Sequence, residues 1–158
     1  PLYSSAASDV YKRQGQRRAI LMTRALDEWN DLDLLLGQWE QLGEGQRHGI
    51  LRACGQLART LHAARQVHGC FYPKHIFLRE RSGDWSAQLI DLEKTRPLLF
   101  GQRDRLKDLE PLLRRASVWN EAEVRLLLAA YLEQPADSSL VQAWLQRLVR
   151  RRRHKETR

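Results

Sequence analysis

Ile50, Cys54, Leu57 and Leu61 recur on one stripe of the chain, with Leu51 and Ala58 beside them. That spacing predicts an amphipathic helix over 46–67. His68 and Gly69 are its expected end, because glycine commonly closes helices. Upstream, an apolar run without polar alternation at 19–22 predicts a buried strand within 18–26. Residues 31–39 are apolar-rich, with Asp31 placed to cap a helix start. Downstream, 75–79 and 86–90 read as strands. Ser82, Gly83 and Asp84 between them supply turn chemistry, so the pair is expected to be a hairpin.

Three further helices follow. Pro111 is tolerated in a first turn, which sets a helix start at Asp108 with Asp108 as N-cap. Asn120 and Glu123 have capping-box spacing and open a helix carrying Val124, Leu127, Leu128, Tyr131 and Leu132, stopped by Pro135. The last helix begins at Ser138, carries Leu140, Val141, Trp144, Leu145, Leu148 and Val149, and runs into basic residues. The expected fold is mainly α with a small β-hairpin and no internal repeat.

Composition changes this picture little. With 158 residues, 42% hydrophobic and 29% charged, the chain suits one globular domain. No apolar run approaches the ~20 residues that span a bilayer. Cys54 and Cys70 do not suggest a disulfide scaffold, and a reduced cytoplasmic setting is the default. Both are expected to behave as small buried hydrophobes.

Charge matters more. Most of the net +8 lies in 147–158, where Arg147, Arg150, Arg151, Arg152, Arg153, Lys155 and Arg158 face only Glu156. The body is therefore nearly neutral. The basic tail, 150–158, reads either as a solvated helix end favoured by the macrodipole or as a contact for an anionic membrane surface. The latter is worth ~1 kcal/mol per basic residue. No aromatic platform or recognition helix accompanies it, which argues against nucleic acid.

Residues 1–14 stand apart. The stretch DVYKRQ at 9–14 matches the translation of a transposase adapter end used in sequencing libraries. This segment is expected to be disordered and foreign to the fold, so that the domain proper occupies 15–149.

The chemistry concentrates in two segments. HGCFYPKHIFL at 68–78 connects the long helix to the hairpin, and IDLEK at 90–94 follows the hairpin's second strand. Asp91 is either a cap or a metal ligand. His62, His68, Cys70 and His75 match no standard zinc spacing.

Together these segments resemble the catalytic loop and metal-binding segment of the InaA/WaaP lipopolysaccharide kinase (Kdo kinase) family. RLKDL at 105–109 is similar to the family's following helix start, and the likeness extends over about residues 18–150. It implies the C-terminal lobe of a protein-kinase-like (α+β) fold, with the N-terminal lobe missing. It also implies ATP and Mg²⁺ as cofactors, and a heptose or Kdo hydroxyl of the lipopolysaccharide core as acceptor. The location implied is cytoplasmic, with a peripheral position on the inner membrane's cytoplasmic face.

Carried over position by position, Asp91 is the expected Mg²⁺ and nucleotide ligand. His75 stands where kinases place a metal-binding Asn, and it reads as second ligand, base or packing residue. Lys74 stands where an Arg approaches the transferred phosphate, or is a surface lysine. His68 is expected to hold the loop by binding backbone. Cys70 occupies the usual position of the catalytic Asp. Asp108 matches the Asp that accepts hydrogen bonds from the loop backbone in kinase folds. The Cys70 substitution motivates an alternative: a pseudokinase or stress-linked binding protein that keeps the fold.

Overall fold

The computed structural model describes residues 7–13, 16–22 and 26–156, with side chains from 26 to 152. Ala7–Arg13 (β1) pairs antiparallel with Gln16–Met22 (β2), Ala7 opposite Met22 and Arg13 opposite Gln16. The expected strand is thus present at 18–22. Residues 7–13, inside the stretch expected to be disordered, are its partner. Residues 1–6 and 14 of that stretch lie outside the described residues.

Asn30–Asp31 (β3) leads into Leu32–Gly37 (α1). Asp31 is the N-cap, its carboxylate accepting the Leu34 N–H at 2.9 Å. The long helix is Glu44–Ala63 (α2). It ends earlier than glycine punctuation implied. Arg65 takes a left-handed conformation (φ 56°), and Gln66–Val67 (β4) pairs antiparallel with Arg96–Pro97 (β7). The Leu98 N–H donates to the Arg65 carbonyl at 2.8 Å. That distant pairing, and not Gly69, draws the chain out of the helix.

The hairpin is Ile76–Arg81 (β5) and Asp84–Leu89 (β6), with β3 added at the edge of β5. Ser82 and Gly83 both have positive φ, 53° and 87°. These suit a two-residue turn that follows the strands' natural twist.

Gln102–Arg115 (α3), Glu121–Leu132 (α4) and Ser139–Glu156 (α5) complete the molecule. The Asn120–Glu123 capping box is present, its two bonds at 2.8 and 3.0 Å. The expected start of α3 is wrong. Its N-cap is Gly101, Asp108 lies mid-helix, and Pro111 is inside the helix. Proline removes only the bond to the Lys107 carbonyl. Lys107 is exposed, so water can take that acceptor.

The core lies where α2, α4 and α5 meet under the hairpin. Ile50, Leu51, Ala58, Leu127, Leu128 and Val141 are all fully buried there. Gly55 sets the α2–α4 approach: a Cβ would come within 2.4 Å of the Leu127 carbonyl oxygen. On this base the loop 68–75 and the segment 90–95 are held side by side.

Candidate active site

The loop after β4 is fixed from below by one carboxylate. Asp108, 4% exposed, accepts the His68 and Gly69 N–H groups, each at 2.8 Å, through its two oxygens. His62 Nε2 lies 3.1 Å from the same carboxylate, and His62 Nδ1 lies 2.8 Å from the Tyr131 hydroxyl. One hydrogen arrangement satisfies every contact. The Tyr131 O–H donates to Nδ1, and the Nε2–H donates to Asp108. Burial pushes the Tyr131 phenol up to about 12, so it stays a donor. His62 and Tyr131 thus hold the carboxylate that holds the loop.

The backbone requires glycine at position 69. Its φ is 77°, and a Cβ would meet the Lys94 carbonyl oxygen at 2.8 Å. The segment after β6 therefore lies directly on the loop.

Two histidines tie these segments together. His68, fully buried, donates through Nε2 to the Ile90 carbonyl at 2.9 Å. His75 lies in a short 3₁₀ turn, Pro73–His75, opened by proline. Its backbone carbonyl accepts the Ile90 N–H at 3.0 Å. Its ring donates from Nδ1 to the Cys70 carbonyl at 2.9 Å and presents Nε2 at 3.3 Å from Asp91 Oδ2. With Nδ1 as the donor, the neutral imidazole has a lone pair on Nε2. A lone pair and a carboxylate oxygen repel at that distance. The pair needs a proton or a cation to hold it.

Asp91 is the exception in this buried region. It follows β6 in a left-handed conformation (φ 56°, ψ 57°), and its side chain is 47% exposed. Such conformations cost energy for residues other than glycine and cluster at working sites. Aspartate tolerates them better than most residues.

The expected residues therefore fall into distinct places. His68, His75, Asp91 and the loop backbone come together, and Asp108 supports them from beneath. Asp108's expected N-cap role is lost, while its loop-binding role is present. Lys74 is exposed beside His75. Cys70 is buried at 8% exposure, like Cys54, whose thiol is pushed up to about 12 by burial. Among the described residues no cluster of three or more His, Cys, Asp or Glu side chains converges on one point.

Sequence reasoning missed His62 and Tyr131 as a pair. Each continues an apolar stripe by one helical step, His62 after Ala58 and Tyr131 after Leu127, and that is the available signal. It also missed Tyr72, whose ring centroid lies 3.9 Å from the Arg115 guanidinium and 5.5 Å from the His75 ring.

A helical lobe that carries a loop and a post-hairpin aspartate in this relation has a protein-kinase-like fold. The structure of WaaP in complex with acyl carrier protein has the same fold. Its TM-score is 0.68 at 20% sequence identity, over 93% of this chain and 69% of that one. The family model of the lipopolysaccharide kinase (Kdo/WaaP) family matches residues 2–131, and the chain belongs to that family. Protein InaA of Escherichia coli (strain K12) is 26% identical over an aligned length of 94 residues, and the match covers 56% of this chain. The match spans 41% of InaA's length.

Proposed function

We propose that this chain is part of an ATP-dependent kinase that transfers phosphate to a hydroxyl of a lipopolysaccharide core sugar, a heptose or Kdo, and that it is not active without the N-terminal lobe. The observation that carries the reading is the half-exposed, left-handed Asp91 carboxylate, held against His75 beside a loop that is otherwise locked by buried bonds.

Phosphoryl transfer is mostly positioning and charge neutralisation. Mg²⁺ typically takes one or two carboxylates and completes its shell with phosphate oxygens and water, so an open carboxylate such as Asp91 suits it. When bound there, it would supply the positive charge that the β- and γ-phosphates need. An imidazole nitrogen suits this hard cation less well than oxygen does. His75 therefore fits best as the group that orients Asp91, as outer partners of metal ligands do. Lys74, exposed and next in the chain, is the cation for the transferred phosphate.

Cys70 leaves the usual base position without a carboxylate. The acceptor's proton then leaves to solvent. A loose transition state asks little of a base, and its loss costs roughly 10²–10⁴-fold in rate.

That buried thiol favours a second reading, a nucleotide-binding protein without transfer. The test is calorimetric titration with Mg·ATP, followed by phosphate transfer to purified lipopolysaccharide core, for the full-length protein with its N-terminal lobe and for its Asp91→Ala variant. Transfer that disappears in Asp91→Ala supports the first reading. Binding without transfer supports the second. Absence of Mg·ATP binding overturns both.

Among the described residues no helix is long and apolar enough to cross a membrane. A membrane-borne acceptor therefore calls for peripheral contact at the cytoplasmic face of the inner membrane, and the basic end of α5 is its electrostatic part. Arg150 and Arg152 are exposed, Arg151 is half-buried, and the side chains of Arg153 and Lys155 lie outside the described residues.

A further inference from the structure

The turn between β7 and α3 carries the two most exposed large apolar side chains among the described residues, Leu99 at 69% and Phe100 at 65%. This is a built turn. Asp104, 4% exposed, accepts the N–H groups of both Leu99 and Phe100 at 3.0 Å each. Arg96 stands 3.6 Å from the same carboxylate. The backbone is thus fixed while the apolar side chains face water. The Arg103 guanidinium lies 6.0 Å from the Phe100 ring centroid.

The turn is also joined to the basic helix. Arg147 of α5 donates to the Gln102 side chain, two residues beyond Phe100. The exposed Arg150 follows within one helical turn, beside Val149 at 41% exposure. An ordered apolar tip and an arginine-bearing helix end therefore share one side of the molecule.

We propose that the Leu99–Phe100 turn is the apolar half of a surface that docks on an anionic lipid bilayer, with α5's arginines as its electrostatic half. Apolar side chains that enter the headgroup boundary, flanked by cations, are how proteins lie on membranes. Charge selects the surface: Asp104 is consumed by the turn and is paired with Arg96, while Arg103 and Arg147 stand beside the tip and Arg150 follows on α5. The proposal rests on reading the basic end of α5 as lipid-facing, and is independent of nucleotide chemistry.

The test uses no nucleotide and no sugar acceptor. Cys54 and Cys70 are buried, so Leu99→Cys can be labelled selectively with an environment-sensitive fluorophore. Glu44→Cys, at the far end of α2 and about 30 Å along that helix, is the control. Phosphatidylglycerol-containing vesicles should shift the emission at position 99 to the blue and leave position 44 unchanged. Pure phosphatidylcholine vesicles should shift neither. The double variant Leu99→Ser, Phe100→Ser should bind phosphatidylglycerol vesicles about tenfold more weakly with an unchanged unfolding midpoint. Arg147→Gln with Arg150→Gln should weaken the salt-sensitive part of the binding. Vesicle binding without a shift at position 99 overturns the turn's role and leaves α5's standing. Absence of vesicle binding overturns both. A shift with polyglutamate but not with vesicles assigns the tip to an acidic protein and overturns the lipid proposal.

Discussion

Asp108 and Asp91 lie on opposite sides of one loop and are treated in opposite ways. Asp108 is buried, and both its oxygens are committed to the backbone of His68 and Gly69 and to His62. Asp91 is half-exposed, sits in a left-handed backbone, and its carboxylate lies 3.3 Å from His75 Nε2. A buried carboxylate with both oxygens bonded into the fold stabilises structure and is closed to a ligand. An exposed one on a strained backbone contributes little stability and keeps its oxygens available. Division of labour between two like residues is set here by environment alone.

The sharpest way to break the comparison is Asp108→Ala. It leaves two backbone N–H groups and the His62 Nε2–H buried without acceptors, at ~1–3 kcal/mol each. Urea denaturation should show a loss on the order of 3–5 kcal/mol, with Asp108→Asn intermediate. A loss below about 1 kcal/mol would mean that the loop does not depend on this anchor.

Asp104 extends the buried class to a second loop. The Phe100 amide, with help from the Leu99 amide and Arg96, holds its carboxyl below the usual range against the opposing effect of burial. A folded-state pKa below the unfolded one gives stability that is present above the unfolded value, about 3.9, and lost as pH falls through the folded value. Asp104→Asn should therefore cost about 1–2 kcal/mol at neutral pH and less in acid. Unfolding midpoints of the two proteins should begin to converge as pH falls below about 4 and meet only below the folded-state value. Parallel midpoints across that range would contradict the assignment.

Much of this was legible in the sequence, wherever the chemistry is local. The Asp31 cap, the Asn120–Glu123 box and the Ser82–Gly83 turn depend on neighbours within a few residues. The loop and Asp91 were found because their spacing resembles a known family. The end of α2 was not legible, because the pairing of Gln66 and Val67 with Pro97 and Arg96 is made across the whole hairpin. Asp108 misled for the opposite reason. The local rule about Pro111 pointed to a helix start, while a tertiary role in the loop outweighed it. The exposure of Leu99 and Phe100 had no signal at all, since apolar residues in a loop ordinarily read as core.

Tyr131→Phe probes the outermost member of the Asp108 network. It removes the O–H that satisfies His62 Nδ1 and keeps the ring, whose centroid lies 5.3 Å from that of Trp144. The expected cost is about 1 kcal/mol. Amide exchange should quicken at His68 and Gly69 more than in α4. Equal quickening in both would make the hydroxyl a packing feature and not a support for the loop.

The smallest effect on stability belongs to Asp91→Asn. Asparagine accepts a left-handed backbone as readily as aspartate does, and the side chain is half in water, so the unfolding free energy should stay within about 0.5 kcal/mol of the parent. Binding should respond quite differently. Loss of even the outer partners of a metal ligand typically costs 10–100-fold, so Mg²⁺-dependent nucleotide affinity should fall by about 100-fold or more. A small change in stability with a large change in binding is the signature of a residue kept for chemistry. If Asp91→Asn instead destabilised the fold as Asp108→Ala does while binding persisted, the roles assigned to the two carboxylates would be reversed.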